Sequence, residues 1–419
     1  MCSVSRVSVA AVLAGAALLA ACDPFTGPAG GGGARIESLP RALTVSEREV
    51  IARSNTFAFG LLREVYRRET ESNVFLSPLS ASMALGMTLN GAATATFDSM
   101  RATLGLGGLA QEEINRSYRD LTSLLLKLDP EVELTIANSV WARKGEPFLP
   151  SFFAAVRTWF DAEARELDFA SPGALDAING WASEATHERI PQVLQEINPN
   201  HIMFLLNAVY FNGDWTAQFD AAKTVSAPFR LASGATVQVP TMHGKLRAAL
   251  VQQPGVILGE LLYGGQAFVA TIVLPEAGRS LKDLVESLDA ERWAEWMGAL
   301  PAGDYRDVEA IDVALPKLEL KYEEKLNDAL TALGMGIAFD PRADFSRLTP
   351  GGGVWVDFVK QNTFLKLDEQ GTEAAAVTVV AMIKSAAPPA LIVDRPFLLA
   401  IRERLSGTIL FLGAIGDPR

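Results

Sequence analysis

The sequence is poor in the residues that build covalent cross-links and metal centres. Its 419 residues include two cysteines, Cys2 and Cys22, which are too few for a disulfide framework. The three histidines, His187, His201 and His243, lack metal-ligand spacing, and no C-x-x-C pair occurs, so we expect no metal site. Positive charge is also scarce. The 37 Lys and Arg against 49 Asp and Glu give a net charge of -12, which disfavours nucleic acids and other polyanions as partners.

The N-terminal residues have the pattern of an export signal. Arg6 precedes an apolar stretch, residues 7–21, that is shorter than the roughly 20 residues of a membrane-spanning helix. The stretch ends in Leu-Ala-Ala-Cys, which resembles a bacterial lipobox with Cys22 as the lipidated N-terminal residue. An ordinary signal peptide with a chance cysteine is the alternative. We expect an exported lipoprotein anchored to a membrane of the bacterial cell envelope, in the periplasm or at the cell surface.

The rest of the chain divides into a linker and one large domain. Residues 22–40 hold the lipidated cysteine and a run of Gly and Pro, which is typical of a flexible tether. No second linker of this kind follows. We therefore expect a signal peptide at 1–21, a tether at 22–40 and a single domain at 41–419.

Hydrophobic periodicity changes along this domain from helical to alternating. The pattern predicts helices at residues 45–71, 78–89, 112–128 and 150–161. It predicts strands at residues 134–142, 203–211, 267–274, 312–318, 354–367, 397–402 and 408–415, and the continuous apolar run at 203–211 indicates a central strand buried on both faces. Because helices come mostly first and strands mostly later, the fold class is α+β.

No catalytic motif explains the chain. It contains no G-x-S-x-G, no S-x-x-K and no phosphate-binding loop, and the three histidines lie among ordinary helical or loop residues. We therefore expect no enzyme.

One segment near the C-terminus, residues 368–389, is unusual in composition. After Gly371 come small and β-branched side chains with a single charge, Glu373, before Lys384, and the segment closes with two prolines. A helix or a plain core strand is the alternative, although the β-branched run at 377–380 opposes a helix. As a strand, its inner face would carry only small side chains, those of Thr372, Ala374, Ala376 and Thr378. Such a segment can be either a loop or a strand inserted between two others.

Five short motifs occur in order along the chain. They are N-V-F-L-S-P-L-S at 73–80, N-A-V-Y-F-N-G-D-W at 207–215, L-P at 274–275, D-E-Q-G-T-E-A-A-A at 368–376 and R-P-F at 395–397. Their sequence and spacing resemble those of the serpins, a family with the serine-protease-inhibitor fold, over essentially all of residues 41–419. The resemblance implies an α+β fold of eight or nine helices around three β-sheets, with an exposed reactive-centre loop at about 369–390. It implies no cofactor.

The resemblance also implies a mechanism. A target protease cleaves the reactive-centre loop and forms an acyl-enzyme, and the cut loop then inserts into the central sheet and traps the protease. About fourteen inserted residues would extend about 46 Å, enough to run the length of a large sheet. We expect a monomer whose partner is a serine protease held in a covalent acyl complex. A non-inhibitory serpin that acts as a binding or carrier protein is the alternative, which the small residues of the hinge disfavour.

Individual positions carry over from the family by motif. The reactive bond would be Ser385–Ala386, which predicts an elastase- or subtilisin-like target, or Lys384–Ser385, which predicts a trypsin-like one; a cut elsewhere, for example after Met382, stays open. Three further regions match by motif. The hinge, the start of the reactive-centre loop, comprises Glu369, Gly371, Thr372, Glu373, Ala374, Ala375 and Ala376. The shutter, a polar cluster beneath the place where the sheet opens, comprises Ser77, Ser80, Asn207 and Gln361, and the breach, where insertion begins, contains Trp215. Gln361 stands where the family usually has His, and Gln can form a similar network without titrating.

Overall fold

The computed structural model describes residues 35–69, 73–198, 200–301, 305, 308–371 and 389–419, which belong to one compact unit. Residues 35–40, which the sequence analysis assigns to the tether, lie against this unit. The backbone N–H of Ile36 donates to the carbonyl of Gly265 (2.9 Å), and Arg35 binds the side chain of Gln266.

Nine α-helices occur within the described residues. They are α1 (Val45–Tyr66), α2 (Pro78–Leu89), α3 (Thr94–Thr103), α4 (Gln111–Leu125), α5 (Pro150–Phe160), α6 (Pro172–Ala185), α7 (Leu281–Ser287), α8 (Ala290–Ala299) and α9 (Asn327–Leu330). Local sequence sets their ends. Thr44 and Glu47 form a capping box at the start of α1, and Ser77 caps α2 with Pro78 in its first turn. Residues 331–339 continue α9 in π and 3-10 turns.

Fifteen strands occur within the same residues. They are β1 (Asn73–Leu76), β2 (Val132–Arg143), β3 (Glu163–Leu167), β4 (Met203–Gly213), β5 (Val225–Arg230), β6 (Thr236–Arg247), β7 (Ala249–Gln253), β8 (Val256–Tyr263), β9 (Phe268–Pro275), β10 (Ala310–Pro316), β11 (Leu318–Lys325), β12 (Lys360–Leu367), β13 (Ala390–Ile392), β14 (Phe397–Glu403) and β15 (Ile409–Ile415).

Hydrogen bonding groups these strands into four sheets. One has six strands in the order β1-β15-β14-β9-β8-β7, and a second has four in the order β13-β10-β6-β5. The other two are β3-β2-β4, with three strands, and the pair β11-β12. The mixture of nine helices with these sheets confirms the predicted α+β class.

The hydrophobic core has two parts on opposite faces of the three-stranded sheet. Alternate residues of β2 point to each part, Val140 to the larger core that includes α2 and Trp141 to a smaller cluster under α6. Side chains of α6 and β4, among them Ile178 and Phe204, complete the smaller cluster. This sheet is therefore sandwiched between α2 and α6.

Two strand predictions need correction. Residues 203–211 were expected in a central strand, but within the described residues β4 pairs with β2 alone and is half-exposed at many positions. Residues 354–367 were expected to form one extended stretch, but only Lys360–Leu367 pairs as a strand, because the backbone before it bonds to Ala338, Leu326 and Asn327. Both differences concern the two strands that face each other without pairing, β4 and β12.

Membrane-spanning helices and metal-binding clusters are both absent from the part of the chain that the structure describes. No helix there is long and apolar enough to cross a bilayer. No group of three or more His, Cys, Asp or Glu there is placed to hold a metal ion.

Candidate functional site

A slot separates β4 from β12. Within the described residues β4 forms a ladder with β2 and β12 forms one with β11, and no ladder joins β4 to β12. A cavity of about 510 Å³ lies between them and is lined by both strands, by α2 on one face and by α6 on the other. The cavity therefore passes through the sheet layer, and each facing strand edge leaves backbone donors and acceptors without a strand partner.

Two half-buried side chains at the slot each have one buried oxygen atom without a hydrogen bond. Among the described residues, the Oδ1 atoms of Asn207 on β4 and Asn362 on β12 have no hydrogen-bond partner. Both residues line the cavity. An unpaired buried carbonyl oxygen costs free energy, about 1–3 kcal/mol, so these two atoms favour any arrangement that brings donors into the slot.

The predicted shutter residues come together around this slot but divide into two pairs. Ser77 and Gln361 form one pair: the Ser77 N–H donates to Gln361 Oε1 (2.9 Å), and Gln361 Nε2 donates to the Ser77 carbonyl (2.7 Å). This exchange ties β12 to the start of α2. The amide of Gln361 thus both donates and accepts, as the sequence analysis expected of it.

The other pair belongs to β4. Ser80 Oγ donates to the Asn207 carbonyl over a long 3.5 Å, and Asn207 Nδ2 donates to Asn138 Oδ1 on β2 (2.6 Å). The sequence reasoning missed Asn138, which in turn donates to the carbonyl of Phe160 (2.8 Å). The Ser80 N–H also donates to Ser77 Oγ (3.3 Å), so the two pairs meet at the start of α2, and Asn207 on β4 and Gln361 on β12 do not bond each other directly.

The predicted breach residue, Trp215, lies at the upper end of the slot. Its indole Nε1 donates to the carbonyl of Asp368 (2.8 Å), its backbone N–H donates to the carbonyl of Gln370 (2.8 Å), and its ring stacks on Tyr263 at 4.3 Å. Trp215 therefore holds the first residues after β12 close to the chain that follows β4.

Gly371 of the hinge fits this place because it has no side chain. Its φ of +75° lies in the left-handed region, and a Cβ there would overlap the backbone nitrogen of Trp215. The hinge therefore begins in direct contact with the breach.

Glu369 anchors the hinge electrostatically. Lys317 Nζ donates to its Oε2 (2.7 Å), Thr224 Oγ1 donates to its Oε1 (2.6 Å), and the Phe219 N–H donates to its carbonyl (2.8 Å). Burial raises the pKa of this carboxyl, but the hydrogen bonds from Lys317 and Thr224 outweigh it and hold the pKa below its usual value. The sequence carries no local signal for Lys317 or Thr224, because both meet Glu369 only through the fold.

Several predicted site residues lie outside the described residues. They are the hinge positions Thr372, Glu373, Ala374, Ala375 and Ala376, the reactive-bond candidates Lys384, Ser385 and Ala386, and the lipidation candidate Cys22. Their assignments stay predictions.

The histidines were assigned no function, and the structure gives each a local partner or setting. His243 lies within β6, His187 adopts a left-handed φ of +49° in a turn, and His201 lies just before β4. His201 is the one that borders the slot, where its Nε2 meets Asp357 at 3.0 Å.

Known proteins resemble this chain along most of its length. The family model described as "Serpin (serine protease inhibitor)" matches residues 52–418. The leukocyte elastase inhibitor of Sus scrofa is 30% identical, with 88% of this chain and all of that protein covered. The native structure of tengpin, a thermophilic serpin, superposes with a TM-score of 0.78 at 26% identity and covers 90% of this chain and 95% of that one.

A protein that binds a small molecule is equally similar in structure. Human thyroxine-binding globulin, solved in complex with thyroxine, has a TM-score of 0.79 at 28% identity, with 89% of this chain and all of that chain covered. The family match and these full-length resemblances agree with the motifs, the α+β architecture and the slot. The chain belongs to the serpin family.

Proposed function

We propose that this protein is a suicide-substrate inhibitor of serine endopeptidases and not itself an enzyme. The protease's serine hydroxyl attacks the carbonyl of the reactive bond, the amine on the far side leaves, and an acyl-enzyme remains. The severed loop then enters the slot between β4 and β12 as a new strand and carries the protease with it. The observation that carries the proposal is this slot, open between two strands and lined from both faces of the sheet.

The hinge sequence fits the dimensions of the slot. Thr372, Ala374, Ala376 and Thr378 would share the face that turns inward, and their small side chains fill little volume. An inserted strand would also offer backbone donors beside the unpartnered oxygens of Asn207 and Asn362. Insertion must be faster than deacylation, and small side chains favour that order.

The target class depends on which bond is cut. Cleavage at Ser385–Ala386 requires a protease that accepts a small residue, such as an elastase- or subtilisin-like enzyme. Cleavage at Lys384–Ser385 requires a trypsin-like one, whose pocket pairs with a cation. The similarity to a leukocyte elastase inhibitor supports the first choice.

The similarity to thyroxine-binding globulin keeps a second candidate, a serpin that binds or carries a ligand. The small residues after Gly371 oppose it, because a carrier has no need of a segment suited to rapid insertion.

The test is incubation with trypsin-, elastase-, chymotrypsin- and subtilisin-like enzymes. We expect a complex that survives denaturing electrophoresis and a released C-terminal peptide that begins at Ala386. A peptide that begins at Ser385 would select the trypsin-like target, and Lys384→Ala would then abolish the complex. Cleavage without any covalent complex by every enzyme would contradict the inhibitor proposal.

We further propose that Cys22 carries the lipid that anchors the protein to a membrane of the cell envelope. The support is the lipobox-like sequence before it. Cys22→Ala should move the protein from the membrane fraction to the soluble fraction. Retention of the variant in the membrane fraction would contradict the anchor.

A further inference from the structure

One side-chain pair crosses the lower end of the slot. His201 lies two residues before β4, and Asp357 lies three residues before β12. His201 Nδ1 accepts a hydrogen bond from the Asn198 N–H (3.2 Å), so its Nε2 carries the hydrogen and donates to Asp357 Oδ2 (3.0 Å). The Asn198 contact fixes the imidazole so that its free N–H points across the slot.

Aromatic contacts reinforce the pair. The His201 ring lies 5.1 Å from Phe204 on β4 and 5.7 Å from Phe358, and the two phenylalanine rings are 6.2 Å apart. The histidine side chain is 14% exposed and that of Asp357 is 64% exposed, so the pair stands at the rim of the cavity with its aromatic support inside. These contacts join the two sides of the slot below the strands.

Three hydrogen bonds fix the segment before β12 to the start of α9. Asn327 Nδ2 donates to the Asp357 carbonyl (2.8 Å), the Val359 N–H donates to Asn327 Oδ1 (2.9 Å), and the Leu326 N–H donates to the Val359 carbonyl (2.8 Å). The chain before β12 is thus fixed to the start of α9, on the side away from β4. His201 and its neighbours are therefore a link that would have to yield if β4 and β12 moved apart.

The antiparallel register places this pair at the end of insertion. Gly371 lies beside Asp214 and forms a bridge to Asp368, so an inserted strand starts there and runs down between β4 and β12. If an inserted strand kept this register, residue 384 would come opposite His201, thirteen residues before Asp214, and residue 382 would come opposite Asp357, eleven residues before Asp368. Residues 372–381 can therefore enter before the pair is reached.

We propose that His201 and Asp357 are positioning residues that latch the lower end of the slot and resist the last step of loop insertion. This inference rests on the proposed inhibitor function. The latch stabilises only the form without an inserted strand, because residues 382–384 would come to lie between its partners. It therefore keeps the lower end of the slot closed in the native form. The hydrogen bond between His201 and Asp357 must break before insertion can be completed, so its strength affects the rate of that last step.

The test compares Asp357→Ala and Asp357→Asn with wild type, each intact and cleaved in the reactive-centre loop. Glu323→Ala is the matched control, because Glu323 pairs with Lys360 (2.7 Å) between β11 and β12, which stay together on insertion. We expect Asp357→Ala to lower the unfolding midpoint of the intact form and to leave that of the cleaved form unchanged. Asp357→Asn still accepts from His201 and should restore most of the loss.

The second readout is the ratio of trapped to released protease. It should rise about two- to fivefold in Asp357→Ala, as expected for loss of one partly exposed hydrogen bond to a carboxylate, and should stay unchanged in Glu323→Ala. Equal midpoints in intact wild type and Asp357→Ala, or an equal fall in both the intact and cleaved forms, would overturn the latch. If cleavage fails to stabilise wild type itself, the insertion mechanism is wrong, which is a separate outcome.

Discussion

Gly371 is the residue at which the hinge meets the breach. Its left-handed φ disfavours any side chain, and the backbone of Trp215 occupies the space that a Cβ would need. Backbone strain and steric overlap can be measured separately by comparison with Gly407. Its φ of +78° is similar, but no atom lies within 4 Å of the position that its Cβ would take, so a side chain there would meet strain without overlap.

We predict that Gly371→Ala lowers the free energy of unfolding by about 2–4 kcal/mol, since strain and steric overlap add. Gly407→Ala should cost only the strain, about 1 kcal/mol. Chemical denaturation of the two variants measures the difference. Equal losses would mean that the contact between Gly371 and Trp215 does not constrain the hinge.

We expect the bonds of Glu369 to make the stability of the folded protein depend on pH. Because its pKa is lower in the folded protein than its usual value of about 4.5, its contribution to stability is present above that value and is lost as pH falls through the folded pKa. Near pH 7 we predict that Glu369→Gln lowers the free energy of unfolding by about 1 kcal/mol.

The difference between wild type and Glu369→Gln should shrink as the pH falls below about 4.5. When Lys317 is replaced by Met, the effect of Glu369→Gln on the free energy of unfolding should change less with pH, because the main hydrogen bond that lowers the pKa of Glu369 is gone. Denaturation measured from pH 7 down to pH 3 tests both. A difference that stays constant with pH would contradict the role of Glu369.

At the scale of elements, the sequence predicts what local chemistry determines. The start of α2 follows from Ser77 and Pro78, and the prediction of residues 78–89 agrees with the helix residue for residue. The hairpin of β14 and β15 is also recognisable from its two apolar runs and from Gly407 in the turn between them. In both cases the determining residues are neighbours in sequence.

The slot could not be predicted in this way. Alternating hydrophobic residues favour a strand from Val354 onward, but Val356 donates its N–H to Ala338 and Val359 bonds to Asn327, so the strand begins later. Similarly, the apolar run of β4 does not reveal that one of its edges lacks a partner strand among the described residues. Pairing between distant segments decides both features.

The face assignment of the hinge gives a prediction at this scale. Thr372→Arg would bury an unpaired cation in the slot, at a cost of several kcal/mol, so insertion should stall while the acyl-enzyme hydrolyses. We expect cleavage at the same bond but no covalent complex. Glu373→Arg is the matched control, because its side chain would face solvent, and it should keep inhibition.

Electrophoresis under denaturing conditions after incubation with the target protease distinguishes cleaved inhibitor from covalent complex. Unchanged inhibition by Thr372→Arg would show that residue 372 stays unburied, and loss of inhibition in both variants would show that the two faces are not distinct.

At the scale of the whole molecule, the described part of the fold leaves hydrogen-bonding groups unpaired at the slot. The facing edges of β4 and β12 have no ladder between them in the described part of the chain, and Asn207 Oδ1 and Asn362 Oδ1 have no partner there. A strand in the slot would satisfy these groups and bury further apolar surface. On the proposed mechanism, the intact form would be protected by the barrier to insertion and not by its depth in free energy.

The most direct test of this account is the unfolding midpoint of the intact protein against that of the protein cleaved once in the reactive-centre loop, with the cut verified by mass. Insertion of residues 371–383 would add about ten backbone hydrogen bonds, so we predict a rise of roughly 10 °C or more, the reverse of the usual effect of nicking a chain. An equal or lower midpoint after cleavage would contradict loop insertion and the trapping mechanism, although the fold would stand.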